Sequence, residues 1–94
     1  MKTLKSAPVE LVELKQGEFM PEVLEFGKLY YSREFQVLNH LCVCGCNQHT
    51  TLFIKHGEWY VFPNDGKVSI TPSILHRIGC KSHYIITNGV ANIV

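Results

Sequence analysis

Apolar residues recur at alternate positions in short bursts along this chain, and turn-forming residues separate the bursts. Val9, Leu11, Val12 and Leu14 fit a short edge strand better than a helix. Gln16, Gly17 and Pro21 interrupt the pattern, so Glu18–Phe26 reads as a loop or at most one helical turn. Gly27 opens Lys28–Ser32, an aromatic run that favours extended backbone, and Phe35–Leu41 alternates as the next strand. Thr50–Ile54 follows as a strand, and Lys55–Glu58 forms a turn from which Trp59–Phe62 pairs back. Pro63-Asn64-Asp65-Gly66 predicts a tight turn before Val68–Ile70, and Thr71–Ile74 reads as a loop. Ser82–Ile86 and Val90–Val94 flank Thr87-Asn88-Gly89, whose Asn-Gly pair suits the positive backbone angles of a two-residue hairpin. Met1–Pro8 reads as a loose lead-in. No segment sustains a 3.6-residue period and no unit repeats. The pattern therefore predicts a mainly β fold, a small single domain over residues 1–94 built from short antiparallel hairpins. Tyr30, Tyr31, Phe35, Trp59 and Tyr60 are expected in its core, and His49, His56 and His76 at its surface.

A chain of 94 residues makes one domain, and a domain of that size buries a modest share of its surface. An added staple would help it fold. The chain has four cysteines, and three of them, Cys42, Cys44 and Cys46, stand at alternate positions with Gly45 among them. The fourth, Cys80, has His83 three residues on. Two short clusters of thiolate and imidazole ligands, well apart in the chain, are the sequence pattern of a tetrahedral zinc site. Such a site would join the two halves of the chain, so that metal affinity becomes folding free energy. In an unbroken strand the outer two of the three cysteines would lie about 13 Å apart, so all three can share an ion only if Gly45 folds the backbone sharply. Either the four cysteines hold the metal, or His83 replaces one of the first three. Buried cysteines acting as small apolar side chains are the plainer alternative.

Lys and Arg number nine against eight Asp and Glu, a formal net charge of +1, which argues against a partner gripped through phosphates. No apolar run is long enough to span a membrane, and Met1–Ser6 lacks the apolar core of a signal peptide. A cytoplasmic location is the expectation, and there clustered cysteines hold metal more often than they form disulfides.

Three further side chains carry chemistry. Ser73 precedes the second cysteine cluster and would become a nucleophile only with a base such as His83 or His40 in hydrogen-bond reach; otherwise Pro72-Ser73 is ordinary turn or capping chemistry. His83 is a zinc ligand, a general base or a strand histidine. His40, two residues before Cys42, shares its face in a regular strand and is a ligand, a base or a support for one. Ser82 adjoins His83 and so points to the opposite face of a strand.

At His40-x-Cys42-x-Cys44-Gly45-Cys46, Thr71-Pro72-Ser73-Ile74 and Cys80-Lys81-Ser82-His83-Tyr84-Ile85 the chain resembles the BubE-like family of small bacterial domains. Members of that family are encoded beside ubiquitin-like proteins and their activating and conjugating enzymes. The resemblance also takes in Gly27–Tyr31, Gly57–Trp59 and the closing hairpin, and so covers most of the chain from about residue 20. It implies a serine-type, zinc-stabilised peptidase that processes or removes a ubiquitin-like partner. Ser73 would be the nucleophile, His83 its base and His40 an assistant, while Cys42, Cys44, Cys46 and Cys80 would hold a structural Zn2+. Many relatives carry proline at the position of Val43 and tryptophan at that of Ile85; neither change touches a polar candidate. A metallopeptidase with zinc-bound water and a non-enzymatic, zinc-propped protein-binding module are the rival readings.

Overall fold

Short alternating segments bury one face each, and two sheets packed face to face are the simplest way to cover those faces. A computed structural model of the chain takes this form and describes residues 6–54, 57–64, 67–76 and 79–94. Nine strands run through these residues: β1 (Ser6–Pro8), β2 (Glu10–Leu14), β3 (Lys28–Ser32), β4 (Val37–Leu41), β5 (His49–Phe53), β6 (Tyr60–Asn64), β7 (Lys67–Leu75), β8 (His83–Thr87) and β9 (Val90–Ile93). One sheet has the order β1-β9-β8-β7-β6 and the other β2-β3-β4-β5. The fold is mainly β, as the alternation predicts. All neighbours are antiparallel except β2 and β3, which run parallel. Among the described residues no helix is long and apolar enough to cross a membrane.

The core lies between the sheets. Leu29, Tyr31, Leu38 and Leu52 come from the four-stranded sheet, and Val68, Ile70, Ile74, Tyr84, Ile86 and Ala91 from the five-stranded one. Cys42 and Val43 close one end of the same cluster. Asn88 and Gly89 take φ of 49° and 77°, the conformation a two-residue hairpin requires, and Thr87 pairs with Val90 across them. The edge position expected of Val9–Lys15 is that of β2.

Four sequence-based expectations need correction. Ser6–Pro8, expected to be loose, forms β1 and pairs with β9; residues 1–5 lie outside the described ones. Trp59–Phe62 does not pair back on Thr50–Ile54, because β5 ends one sheet and β6 edges the other. Alternation gives each strand a buried face but does not choose its partner. Thr71–Ile74 is no loop but continues β7, its pairing with β8 shifting between Ile70 and Ile74. Phe35 and Tyr60 are exposed rather than core, whereas Tyr30 and Tyr31 are buried and Trp59 packs partly against the core. The tight-turn expectation at Asp65-Gly66 and the surface position of His56 fall outside the described residues.

Truncating Ile70, which has no exposed surface, to alanine should cost about 2–5 kcal/mol. Phe35→Ala should stay within about 0.5 kcal/mol of wild type. Urea unfolding of the two variants measures the contrast, and a large loss at Phe35 would contradict its surface placement.

Candidate active site and metal centre

Two strand ends and two tight turns build the site. β4 stops at Leu41, and the chain folds back on itself, with Gly45 at φ 96° and Asn47 at φ 65°. Gly45 N–H donates to Cys42 C=O at 3.3 Å, and Cys42 N–H donates to Gln48 C=O at 2.8 Å. This bend gathers side chains that an extended strand would spread apart. Cys80 approaches from the β7–β8 connection, where Gly79 and Lys81 also have positive φ. The sulphurs of Cys42, Cys44, Cys46 and Cys80 all lie within 4.8 Å of one another, and all four residues are free of disulfides.

Cys42 Sγ stands 3.4 Å from Cys44 Sγ and 3.5 Å from Cys80 Sγ. A tetrahedron of sulphurs around an ion with metal–sulphur bonds of about 2.3 Å has edges of about 3.8 Å. The four thiols are thus close enough together to hold a soft or borderline cation after small shifts. Their acidities diverge. Burial pushes the Cys42 thiol up to about 12. Burial also raises Cys80, but hydrogen bonds from the side chain and backbone of Ser82, with those of Cys46 and Cys42, outweigh it and bring the thiol down to about 6. Like charges this close cannot all form unaided, and of these two thiols Cys80 gives up its proton the more readily. A bound cation would remove that repulsion and stabilise four thiolates.

Ser73 and His83 meet elsewhere on the sheet. Ile70 pairs with Ile86 and Ile74 with Tyr84, so Thr71, Pro72 and Ser73 together stand opposite Ile85 alone. This bulge re-aims the backbone of β7, and its Thr71–Pro72 bond is cis. His83 Nε2 lies 2.6 Å from Ser73 Oγ. That is the length of a strong hydrogen bond between a serine hydroxyl and an imidazole nitrogen. Among the described residues no carboxylate bonds to His83. Both side chains are partly exposed, so the pair is open to a ligand.

His40 is not part of that pair. It is buried, and its Nε2 lies 2.6 Å from the Tyr84 hydroxyl, which also lies 2.9 Å from His76 Nε2. Thr50 Oγ1 is 3.3 Å from the same His76 nitrogen. Tyr84 and His83 are neighbours on β8 and point to opposite faces. The His40–Tyr84–His76 cluster therefore lies between the sheets, and the Ser73–His83 pair lies outside them. Tyr84 has one proton, so it donates to one imidazole and accepts from the other. Burial, then the charges of His76 and His49, lowers His40 to about 3, and burial lowers His76 as well. Both rings stay neutral at physiological pH. His49 is exposed as expected, but His76 is buried, which the sequence reading missed. Its signal was the alternation Ile74, His76, hidden while Thr71–Ile74 was read as a loop.

Residues 16–94 match the protein family described as bacterial ubiquitination-like system serine protease (BubE). The chain belongs to the BubE family. No curated protein and no solved structure matches it. BubE membership makes this chain a relative of serine proteases in a bacterial ubiquitination-like system. The match takes in all four cysteines and the Ser73–His83 pair; β1 and β2 precede it.

The buried histidines give a signed pH dependence. The folded state holds His40 neutral down to about pH 3, whereas the unfolded chain binds a proton below about 6.5. His40 thus supports folding fully above that value and costs stability as pH falls, by about 1.4 kcal/mol per pH unit. Denaturant unfolding between pH 6 and 4.5, at equal metal content, should give His40→Gln a slope shallower than wild type by about that amount. Equal slopes would mean that His40 is protonated in the folded protein.

Proposed function

We propose that this protein is a serine peptidase that hydrolyses the acyl bond at the C-terminal tail of a ubiquitin-like protein, with a structural Zn2+ in its cysteine knot. The observation that carries the reading is the 2.6 Å approach of Ser73 Oγ to His83 Nε2 in a chain of the BubE family. Ser73 Oγ attacks the carbonyl carbon while His83 Nε2 takes its proton. The tetrahedral intermediate collapses when His83 returns that proton to the leaving amine, and an acyl-serine ester remains. Water, deprotonated by His83, then attacks the ester and frees Ser73. Backbone amides around the bulge bind the developing oxyanion; Pro72 has no N–H, so the Ser73 amide is the donor nearest the nucleophile in sequence. His40 supports the pair at one remove, by holding Tyr84 beside His83.

Cys42, Cys44, Cys46 and Cys80 would hold the zinc as four thiolates, and what the ion supplies there is a fixed cross-link between the two sheets. Four sulphur ligands fill a tetrahedral shell and leave no place for a reactive water, which favours serine chemistry over a metallopeptidase. A cytoplasmic setting, in which thiols stay reduced, suits this knot. The activating and conjugating enzymes of the same system are further candidate partners.

Purified wild type and Ser73→Ala should be incubated with a ubiquitin-like protein carrying extra C-terminal residues, with cleavage read by intact mass and zinc counted in both. Wild type should cleave, and the variant should lose at least about 1000-fold of that activity at equal zinc. Cleavage by Ser73→Ala at the wild-type rate would overturn the mechanism. Binding without turnover by either protein would instead mark a zinc-propped docking module.

Chelation provides a separate check on the metal. Removing zinc should lower the unfolding midpoint, because the ion binds only the folded arrangement of its ligands. A midpoint unchanged by a strong chelator, with the metal shown to be gone, would mean that the knot needs no ion.

A further inference from the structure

Three consecutive residues leading into β8, Ser82, His83 and Tyr84, make three separate attachments. Ser82 Oγ lies 3.1 Å from Cys42 Sγ and 3.2 Å from Cys80 Sγ. His83 reaches Ser73 on the other face, and Tyr84 returns inward to His40 and His76. The Ser82 backbone is held too, since its C=O accepts the His76 N–H at 2.9 Å. Cys42 ends the β4 arm of the knot, and Cys80 lies on the connection that leads into β8. One hydroxyl thus touches sulphurs from both arms, immediately before the histidine that faces the serine.

We infer that Ser82 is a positioning residue for the Ser73–His83 pair: its hydroxyl anchors the first residue before β8 to the cysteine knot and thereby sets the distance from His83 to Ser73. This rests on the serine-peptidase reading and deepens it by linking the knot to the chemistry. The physical need is plain. Gly79 and Lys81 turn the backbone through left-handed conformations just upstream, so the chain enters β8 straight from a turn, and Ser82 is the point where both its backbone, on His76, and its side chain, on the sulphurs, are held. A hydrogen bond of 2.6 Å tolerates displacements of a few tenths of an ångström. A misplacement of about 1 Å costs up to about 100-fold in rate. Tyr84 pins the next inward position, leaving His83 held from both sides in sequence.

The test uses the zinc-loaded full chain and reads the ring signals of His83 by NMR, alongside peptidase kinetics. Ser73→Ala supplies the reference for a His83 that has lost its partner. Ser82→Ala should shift the His83 signals towards that reference and lower kcat by about 10- to 100-fold with KM unchanged. Ser82→Thr should retain both, and Ser82→Val, the same shape without the hydroxyl, should behave as Ser82→Ala. Wild-type His83 signals in Ser82→Ala and Ser82→Val would overturn the assignment while leaving the Ser73–His83 pair intact. Loss of zinc from Ser82→Ala would also overturn it, since the hydroxyl would then support the knot and not the histidine. If Ser73→Ala itself leaves the His83 signals unmoved, the pair does not form, and the positioning role falls with it.

Discussion

The approach of the Cys42 and Cys80 sulphurs to 3.5 Å is the contact on which the rest of the molecule depends. It brings the end of β4, in one sheet, against the turn that feeds β8, in the other. Elsewhere the two sheets are joined mainly by apolar burial, which is strong but tolerates sliding. A cluster of sulphurs tolerates little. Four thiols within 4.8 Å repel once charged, and a soft cation would turn that repulsion into a rigid, directional joint. A small β sandwich with a limited core gains both stability and a fixed relation between its sheets from one such joint.

From this joint the functional arrangement follows by alternation. Successive side chains of a strand point to opposite faces, so Ser82 and Tyr84 engage the interior while His83 faces outward. The inward residues meet the sulphurs and the two neutral imidazoles; the outward one meets Ser73. The bulge in β7 completes the geometry by fitting three residues opposite one, so that Ser73 comes within reach of a strand that a regular ladder would offset differently. The buried polar cluster and the Ser73–His83 pair thus occupy opposite sides of one strand. A histidine carried on a buried face would pay for burial with lost basicity, as His40 does.

Much of this was legible in the residues. Asn88-Gly89 declared its hairpin because few other pairs accept two positive φ angles, and Gly45 declared the bend because alternate cysteines cannot converge without one. Other features left no local trace. The strand formed by Tyr60–Asn64 could be seen, but its partner could not, because a period of two names a buried face and not the neighbour beside it. Pro72 disguised the continuation of β7 as a loop, and with it the inward place of His76. Phe35 and Tyr60 were assigned to the core by size, yet they occupy solvent-facing positions. The cysteine, histidine and serine candidates were found as types and spacings; that Ser73 and His83 touch is a property of the bulge, which arises from long-range pairing.

The strand β1 pairs with β9, so Ser6–Pro8 lies against Val90–Asn92. Two residues further on, the chain has entered the opposite sheet as β2 and lies parallel to β3. This segment is a stitch between the layers, and its partner is nearly the last stretch of the domain to be made. Contacts so distant in sequence carry a large loop-closure cost and slow the search for the native topology. During synthesis the five-stranded sheet cannot close until β9 has emerged, so the first-made strand must wait as an unpaired edge. The cysteine bend, by contrast, is local and can form early. Assembly of this sandwich therefore has a built-in order, in which its earliest segment is among the last to find its place.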